Sequence, residues 1–330
     1  MRLLVTGGAG FLGANFVLRA RREHPDVEVV VLDALTYAGN LASLQPVRDD
    51  VEVVVGDVAD AAVVEPLVAR VDAVVHFAAE SHNDRGLADP APFVQTNLVG
   101  TAVLLEAVRR HDVRLHHVST DEVFGALGLD DERFREGTPY DPTSPYSATK
   151  AGSDLLVRAW ARSYGVRATI TCGANTYGPL QHVEKLVPRQ ITQLLDGRRP
   201  RLYGTGAQVR DWVHVDDHGA AVWAVLERGA VGQTYLVGAG QERTNRQVVE
   251  HLLALFGQPA DAVDLVPERP GHDLRYATDS TRLRTELGWR PRHTTFEDGL
   301  AATVDWYRGH EAWWRPLKAE TERRYARLGR

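Results

Sequence analysis

The run Gly7-Gly8-Ala9-Gly10-Phe11-Leu12-Gly13 constrains this chain more than any other feature, because it directly follows the apolar stretch Leu3–Val5 and opens an amphipathic helical pattern. A strand that meets a helix across glycines at 7, 10 and 13 is a dinucleotide-binding turn. Missing side chains let the backbone approach a pyrophosphate, and the helix N-terminus offers it oriented N–H groups. Asp33 closes the second apolar stretch 20 residues after Gly13. A carboxylate there can accept hydrogen bonds from the adenosine ribose and would repel a 2′-phosphate, which favours NAD over NADP. Asp57-Val58, after the third apolar stretch, is placed to meet the adenine. The bland alternative, glycines serving only a tight turn, is disfavoured by a strand, a helix and an acid all in register.

The stretches Leu3–Val5, Val27–Leu32, Val51–Val55, Ala73–Phe77 and Arg114–Val118 read as strands with helical patterns between them, the longest being Phe93–Arg110 and Ser147–Tyr164. This punctuation predicts an α/β fold, a Rossmann-type doubly wound parallel sheet. Val166–Cys172 adds a strand, after which the alternation gives way to a loop-rich text with short strands at Trp212–Val215 and Gln233–Val237. Residues 1–172 are therefore expected to form an NAD-binding Rossmann domain to which 213–238 returns. Residues 173–212 and 239–330 are expected to form a smaller interleaved C-terminal substrate domain. The charged stretch from Lys318 to Arg330 is expected to fray.

The net charge of −6 leaves no basic footprint for nucleic acid and no polybasic patch for a membrane. The N-terminus runs straight into a strand without a signal-peptide pattern, and no apolar stretch reaches the roughly 20 residues that span a bilayer. Cys172 is the single cysteine, which excludes an intramolecular disulfide and argues against a thiolate metal site; the 13 histidines show no metal spacing. A cytoplasmic enzyme without a metal, whose partners are small molecules and other subunits, fits these features.

Thr120-Asp121-Glu122 and Tyr146-x-x-x-Lys150 carry the chemistry. A Tyr and a Lys four apart share one helix face, so the ammonium is expected beneath the phenol, favouring its ionised form for alcohol oxidation beside a nicotinamide. Two adjacent carboxyl groups supply what a simple dehydrogenase does not need: one to take a carbon-bound proton, one to protonate a departing hydroxyl. Close packing of like charges in a partly desolvated site divides those roles by raising one pKa. The plain alternatives are a solvated turn for the Asp-Glu pair and a cap for Thr120.

Taken with Leu32-Asp33-Ala34-Leu35-Thr36-Tyr37-Ala38-Gly39-Asn40, His76-Phe77-Ala78-Ala79-Glu80-Ser81-His82, Glu184-Lys185-Leu186-Val187-Pro188, Val209-Arg210-Asp211-Trp212 and Arg269-Pro270-Gly271-His272-Asp273, the chain resembles the extended short-chain dehydrogenase/reductase superfamily. Within it, the chain is similar to the sugar-nucleotide 4,6-dehydratases. The resemblance implies dTDP-glucose as substrate. Tyr146, helped by Lys150 and Thr120, oxidises C4 while NAD takes the hydride; Glu122 removes the C5 proton, Asp121 protonates the leaving C6 hydroxyl, and the hydride returns to C6. It adds Phe11, Leu12, Ala34, Leu35, Thr36, Ala78, Ala79, Ser81, Thr96 and Thr176 to the cofactor site, together with Tyr146 and Lys150. It places Thr120, His82, Asn175, Lys185, Leu186, Arg201, Tyr203, Arg210, Asn245, Arg269, His272 and Tyr276 at the substrate, where arginine forks suit a diphosphate. A homodimer through Phe93–Arg110 and Ser147–Tyr164 is also implied. Phe124, Asn83 and Thr176 depart from the family pattern, which has a tyrosine, an apolar residue and an asparagine there. The alternatives are a nucleotide-sugar 4-epimerase or decarboxylase, which do not need Asp121, and a non-catalytic NAD-binding scaffold.

Overall fold

The computed structural model describes residues 1–268 and 271–327. Seven parallel strands form the central sheet: β1 (Arg2–Thr6), β2 (Glu28–Asp33), β3 (Val51–Val55), β4 (Ala73–His76), β5 (Arg114–Thr120), β6 (Ala168–Gly173) and, much later, β10 (Thr234–Val237). Their order is β3-β2-β1-β4-β5-β6-β10, so the chain reverses direction across the sheet between β1 and β4. A second sheet pairs β7 (Asn175–Tyr177), β11 (Glu242–Thr244) and β13 (Arg275–Tyr276) with β9 (Val209–His214), and a third joins β8 (Arg201–Tyr203) to β12 (Asp264–Val266). The helices are α1 (Phe11–Glu23), α2 (Ala61–Val68), α3 (Asn83–Ala88), α4 (Ala91–His111), α5 (Pro145–Tyr164), α6 (Leu186–Leu195), α7 (Val215–Arg228), α8 (Asn245–Leu255), α9 (Thr281–Leu287), α10 (Phe296–Gly309) and α11 (Glu311–Arg327). The fold is the Rossmann-type sheet that the apolar runs predict, with smaller C-terminal sheets beside it.

Alternate residues of a strand point to opposite faces. Leu3, Val5, Val29 and Val31 therefore pack with Phe16 and Val17 of α1 and Val222 and Trp223 of α7. Leu4, Val30, Leu32 and Leu115 pack on the other side with Leu104, Leu105 and Val108 of α4 and Val157 of α5. Burial on both faces is why these strands read as unbroken apolar runs. A separate core of Tyr177, Trp212, Phe296, Leu300, Tyr307 and Trp314 holds the C-terminal elements together.

Three expectations about the elements change. The strand expected at Trp212–Val215 starts earlier, at Val209, and stops at His214, whose ring accepts the Asp216 N–H at 3.2 Å and so caps α7. The apolar character of Val215 belongs to the first turn of a buried helix, a case that periodicity alone cannot separate from a strand. Of the charged stretch expected to fray from Lys318, the part to Arg327 continues α11, and 328–330 lie outside the described residues. Trp314, Lys318, Thr321 and Tyr325 are its buried residues, spaced four, three and four apart on one face, while its exposed charges lie elsewhere. Finally, α4 is long and apolar enough, by length and composition, to cross a bilayer, although the sequence suggested no such stretch; its buried side packs on the sheet.

Candidate active site

A crevice runs across the carboxyl ends of the central strands, where ligands of open α/β sheets bind. Gly7, Gly10, Phe11, Leu12 and Gly13 line it after β1, Asp33, Ala34 and Thr36 after β2, and Asp57 and Val58 after β3. Ala78, Ala79 and Ser81 follow β4, Thr96 comes from α4, and Thr176 closes the far side. Gly7 has φ 68°, and a Cβ on it would lie 2.6 Å from the Ala78 nitrogen; one on Gly13 would lie 2.2 Å from the Gly7 oxygen. Helix α1 starts behind Gly10 without a side-chain cap and without an acid in its first turn, which leaves its N–H groups open to an anion. The cradle fits the pyrophosphate of NAD. Asp33 accepts the Ala9 N–H at 2.9 Å and the Leu35 N–H at 2.8 Å, so it braces the glycine turn as well as facing the crevice. Leu35 is off the crevice wall: it sits at φ 51° and packs its side chain into the α1 layer.

Thr120, Asp121, Glu122, Tyr146 and Lys150 meet at the inner end of the crevice. Thr120 ends β5 and its hydroxyl accepts the Glu122 N–H at 3.3 Å, so the capping role and a place in the site coexist. Asp121 is 1% exposed, and its Oδ2 has no hydrogen-bond partner among the described residues. Burial, reinforced by Glu122, pushes its carboxyl well above the usual range, against the pull of Arg210. Glu122 is only half-buried and accepts a hydrogen bond from Asn83 Nδ2 at 3.2 Å. The paired carboxyl groups thus sit in unequal surroundings.

The tyrosine and lysine differ from expectation. Lys150 Nζ donates to the Val118 carbonyl at 2.8 Å and lies 3.3 Å from His117 Nε2. Burial, then Glu122, raise the Tyr146 phenol, and the Thr120 contact opposes them. Burial and the neighbouring carboxyl group thus hold the phenol toward its neutral form, where the spacing alone predicts ionisation. Below this pair lies a buried network that the motif reading did not single out: His117 Nε2 is 3.2 Å from Asp154 Oδ1, and Ser119 and Tyr140 donate to Asp154 Oδ2 at 2.8 and 2.9 Å. Burial and then Lys150 lower the His117 pKa to about 4, so that ring is neutral near pH 7. The available signal was helical spacing, because Tyr146, Lys150 and Asp154 recur at four-residue steps.

A second cavity, between the sheet and the C-terminal elements, shares Ser81, Glu122, Asn175, Glu184 and Lys185 with the crevice. His82, Leu186, Arg201, Tyr203, Arg210, Asn245, His272 and Tyr276 line it. Arg210 is buried and lies 4.2 Å over the Tyr276 ring; Asn245 starts α8 beneath a Thr244/Gln247 capping box. Arg201 is exposed at the rim. Arg269 lies outside the described residues. Arg189 and Tyr325 join the wall unannounced by the motifs, and Glu184 joins it from a motif in which only Lys185 and Leu186 are given a site role. Glu184 pairs with Arg85 at 3.1 Å; burial alone would raise its carboxyl, but the surrounding His82, His182, Lys185 and Arg85 hold it below the usual range. Arg189 stacks 3.5 Å over Tyr325, which α11 carries in from the far end of the chain.

Phe124 packs against Phe134 and Tyr140 with ring centres 5.1 and 5.2 Å away, in an apolar pocket where a hydroxyl is not needed. Thr176 turns its hydroxyl back to the Ala174 carbonyl at 3.1 Å. Among the described residues one trio, His214, Asp216 and His293, has possible metal-ligand atoms within 4.8 Å of one another. It lines neither cavity. Its rings lie 3.7 Å apart, tilted by 32°, His214 caps α7, and Arg22 and Arg292 stand close enough to act on it, so a packed helix cap accounts for it.

A Rossmann sheet whose dinucleotide crevice opens onto a Tyr/Lys helix and a polar cavity under the C-terminal elements defines the extended short-chain dehydrogenase/reductase class. Residues 4–303 match the GDP-mannose 4,6 dehydratase family, and the chain belongs to it. It is 62% identical to the dTDP-glucose 4,6-dehydratase of Mycolicibacterium smegmatis over the full length of both chains. A dTDP-glucose 4,6-dehydratase of Streptomyces venezuelae, solved with NAD bound, superposes with a TM-score of 0.93 at 49% identity, covering 96% of this chain and 100% of that one. The dTDP-glucose 4,6-dehydratase of Bacillus anthracis in complex with NAD gives 0.90 at 41% identity, covering 96% and 99%. The resemblance read from the motifs is borne out.

Proposed function

We infer that this chain dehydrates dTDP-glucose to dTDP-4-keto-6-deoxyglucose, using NAD as a cofactor that is regenerated in each turnover. The observation that carries the reading is Asp121, buried, held toward its acid form and, among the described residues, unpartnered at Oδ2 beside the half-exposed Glu122. A 4-epimerase or a decarboxylase has no use for such an acid, and a binding scaffold has no reason to keep one. When bound, NAD supplies the chemistry that oxidises C4 and afterwards reduces C6. Tyr146, with Thr120 beside it and Lys150 below, takes the proton of the C4 hydroxyl. The C4 ketone then acidifies C5, Glu122 accepts the C5 proton, and Asp121 gives its proton to the C6 hydroxyl as water departs. Arg210, Lys185, Asn175 and Asn245 hold the diphosphate and sugar, and Tyr203 offers a flat surface to the base.

Residues 1–172 with 213–238 serve the cofactor in this reading, and 173–212 with 239–330 serve the sugar nucleotide. It supports that division that α7 and β10 pack with the central sheet while α8 and α10 build the separate C-terminal core. The working form is a cytoplasmic homodimer. Val94 and Val99 on α4 and Leu155 and Tyr164 on α5 are 40–58% exposed, an apolar stretch of two neighbouring helices that a second copy would cover.

The defining test follows hydrogen through the sugar. Substrate deuterated at C4 yields product with deuterium in its C6 methyl group, on the same carbon skeleton in a mixed-label experiment, while C5 takes up solvent hydrogen. Label retained at C4 with no methyl group formed would instead indicate an epimerase. Cofactor choice gives an independent check: NAD supports turnover and NADP does not, because a carboxylate at Asp33 would repel a 2′-phosphate. Equal rates with both cofactors after bound dinucleotide is stripped would remove the ribose assignment.

A further inference from the structure

Asn83 touches the inferred C5 base and has no part in the scheme above. Its Nδ2 donates to Glu122 Oε2 at 3.2 Å, and its Oδ1 is buried in the wall of the substrate cavity without a hydrogen-bond partner among the described residues. The residues around it are tied down on three sides. The Tyr325 hydroxyl lies 3.3 Å from His82 Nε2, the Tyr203 hydroxyl donates to Asp84 at 3.2 Å, and Arg85 pairs with Glu184 at 3.1 Å. Asn83 therefore projects from a segment fixed to α11, to β8 and to the loop before α6. Those contacts hold the backbone from which the amide reaches Glu122, which is the support a reacting group needs.

We propose that Asn83 is a positioning residue for Glu122: its amide holds one carboxylate oxygen so that the other faces C5 of the sugar. The inference rests on the reading of Glu122 as the C5 base. Where the family pattern has an apolar residue, this chain's amide gives the proton acceptor a partner suited to it. An ammonium in this place would pair with the carboxylate and blunt it as a base. A second carboxylate would repel it, and an apolar side chain would leave it without a donor. An amide donates to the carboxylate through Nδ2 and, after a half-turn, accepts from its acid form through Oδ1, so it serves Glu122 before and after proton transfer. The orientation is set by the ionised partner, since the amide oxygen would be repelled by it.

The test compares Asn83→Leu and Asn83→Asp with the native protein, using dTDP-glucose with and without deuterium at C5. Both variants retain NAD, melt near the native temperature and form the C4 ketone at the native rate in a single turnover. Their C5 step slows by roughly 10- to 100-fold, more for Asp than for Leu, and a primary isotope effect at C5 emerges in kcat while KM changes little. Native kcat with no C5 isotope effect in folded Asn83→Leu overturns the proposal, as does an effect confined to KM. Glu122→Gln run in parallel separates the two readings. Continued solvent exchange at C5 in that variant removes the base assignment itself, whereas its loss alongside a native Asn83→Leu removes only the role of Asn83.

Discussion

Glu122→Gln stops the reaction after the first oxidation. Mixed with dTDP-glucose in a single turnover, this variant shows a rise at 340 nm that persists, because the C4 ketone forms and no group remains to take the C5 proton. Glutamine fits the same space and can still accept the Asn83 N–H, so the lesion is chemical rather than structural. Tyr146→Phe gives the opposite record, with no rise at all, since the C4 hydroxyl keeps its proton. Steady-state losses of about 10²- to 10⁴-fold are expected in both, the usual cost of removing a general acid or base. The two traces together assign the steps. Near-native turnover in Glu122→Gln, or a normal rise in Tyr146→Phe, would exchange or abolish the roles given to these side chains.

Asp121→Asn loses activity by a comparable factor, roughly 10²- to 10⁴-fold, and its pH behaviour identifies the cause. Burial, then Glu122, raise the Asp121 carboxyl in the folded protein. A raised acid binds its proton more tightly folded than unfolded, so its contribution to stability is complete below the ordinary carboxylate range and is lost as pH rises through the folded value. The native protein should therefore lose melting temperature with rising pH over that window, and Asp121→Asn, neutral throughout, should lose less. The catalytic sign is the same: kcat of the native enzyme falls on the basic side as Asp121 gives up its proton, and that limb disappears in the variant. Removing the like charge in Glu122→Gln lessens the elevation, so the stability loss is smaller and ends at lower pH, while its onset at the unfolded carboxylate value stays put. A stability profile identical in native protein and Asp121→Asn would contradict the protonated state assigned to this residue.

Lys150 and Tyr146 illustrate why a motif gives residues before it gives their electrostatics. The four-residue spacing puts both on one helix face, and the structure brings both into the crevice. What spacing leaves open is how deeply the phenol is buried and where the ammonium is spent. Lys150 is held by the Val118 carbonyl, and desolvation raises Tyr146 despite it. That balance of burial and neighbouring charge is visible only in the folded site.

Local rules were enough for the fold class and for the reacting groups. Parallel strands buried on both faces must read as apolar runs, a pyrophosphate turn must be free of side chains, and a helix fixes which residues share its face. The central sheet, the place of Asp33 and the grouping of Thr120, Asp121, Glu122, Tyr146 and Lys150 accordingly follow from short stretches of text. What came only with the tertiary structure depends on contacts between distant segments. Tyr325 reaches the cavity across 243 residues to His82, Arg85 pairs with Glu184 across 99, and Asn83 meets Glu122 across 39. The C-terminal helix that looked frayed is held because Trp314, Lys318, Thr321 and Tyr325 find a surface to bury against. The unequal surroundings of Asp121 and Glu122 have the same origin, since the burial that sets a carboxyl's pKa is the work of the whole enclosing fold, and no local pattern of residues encodes it.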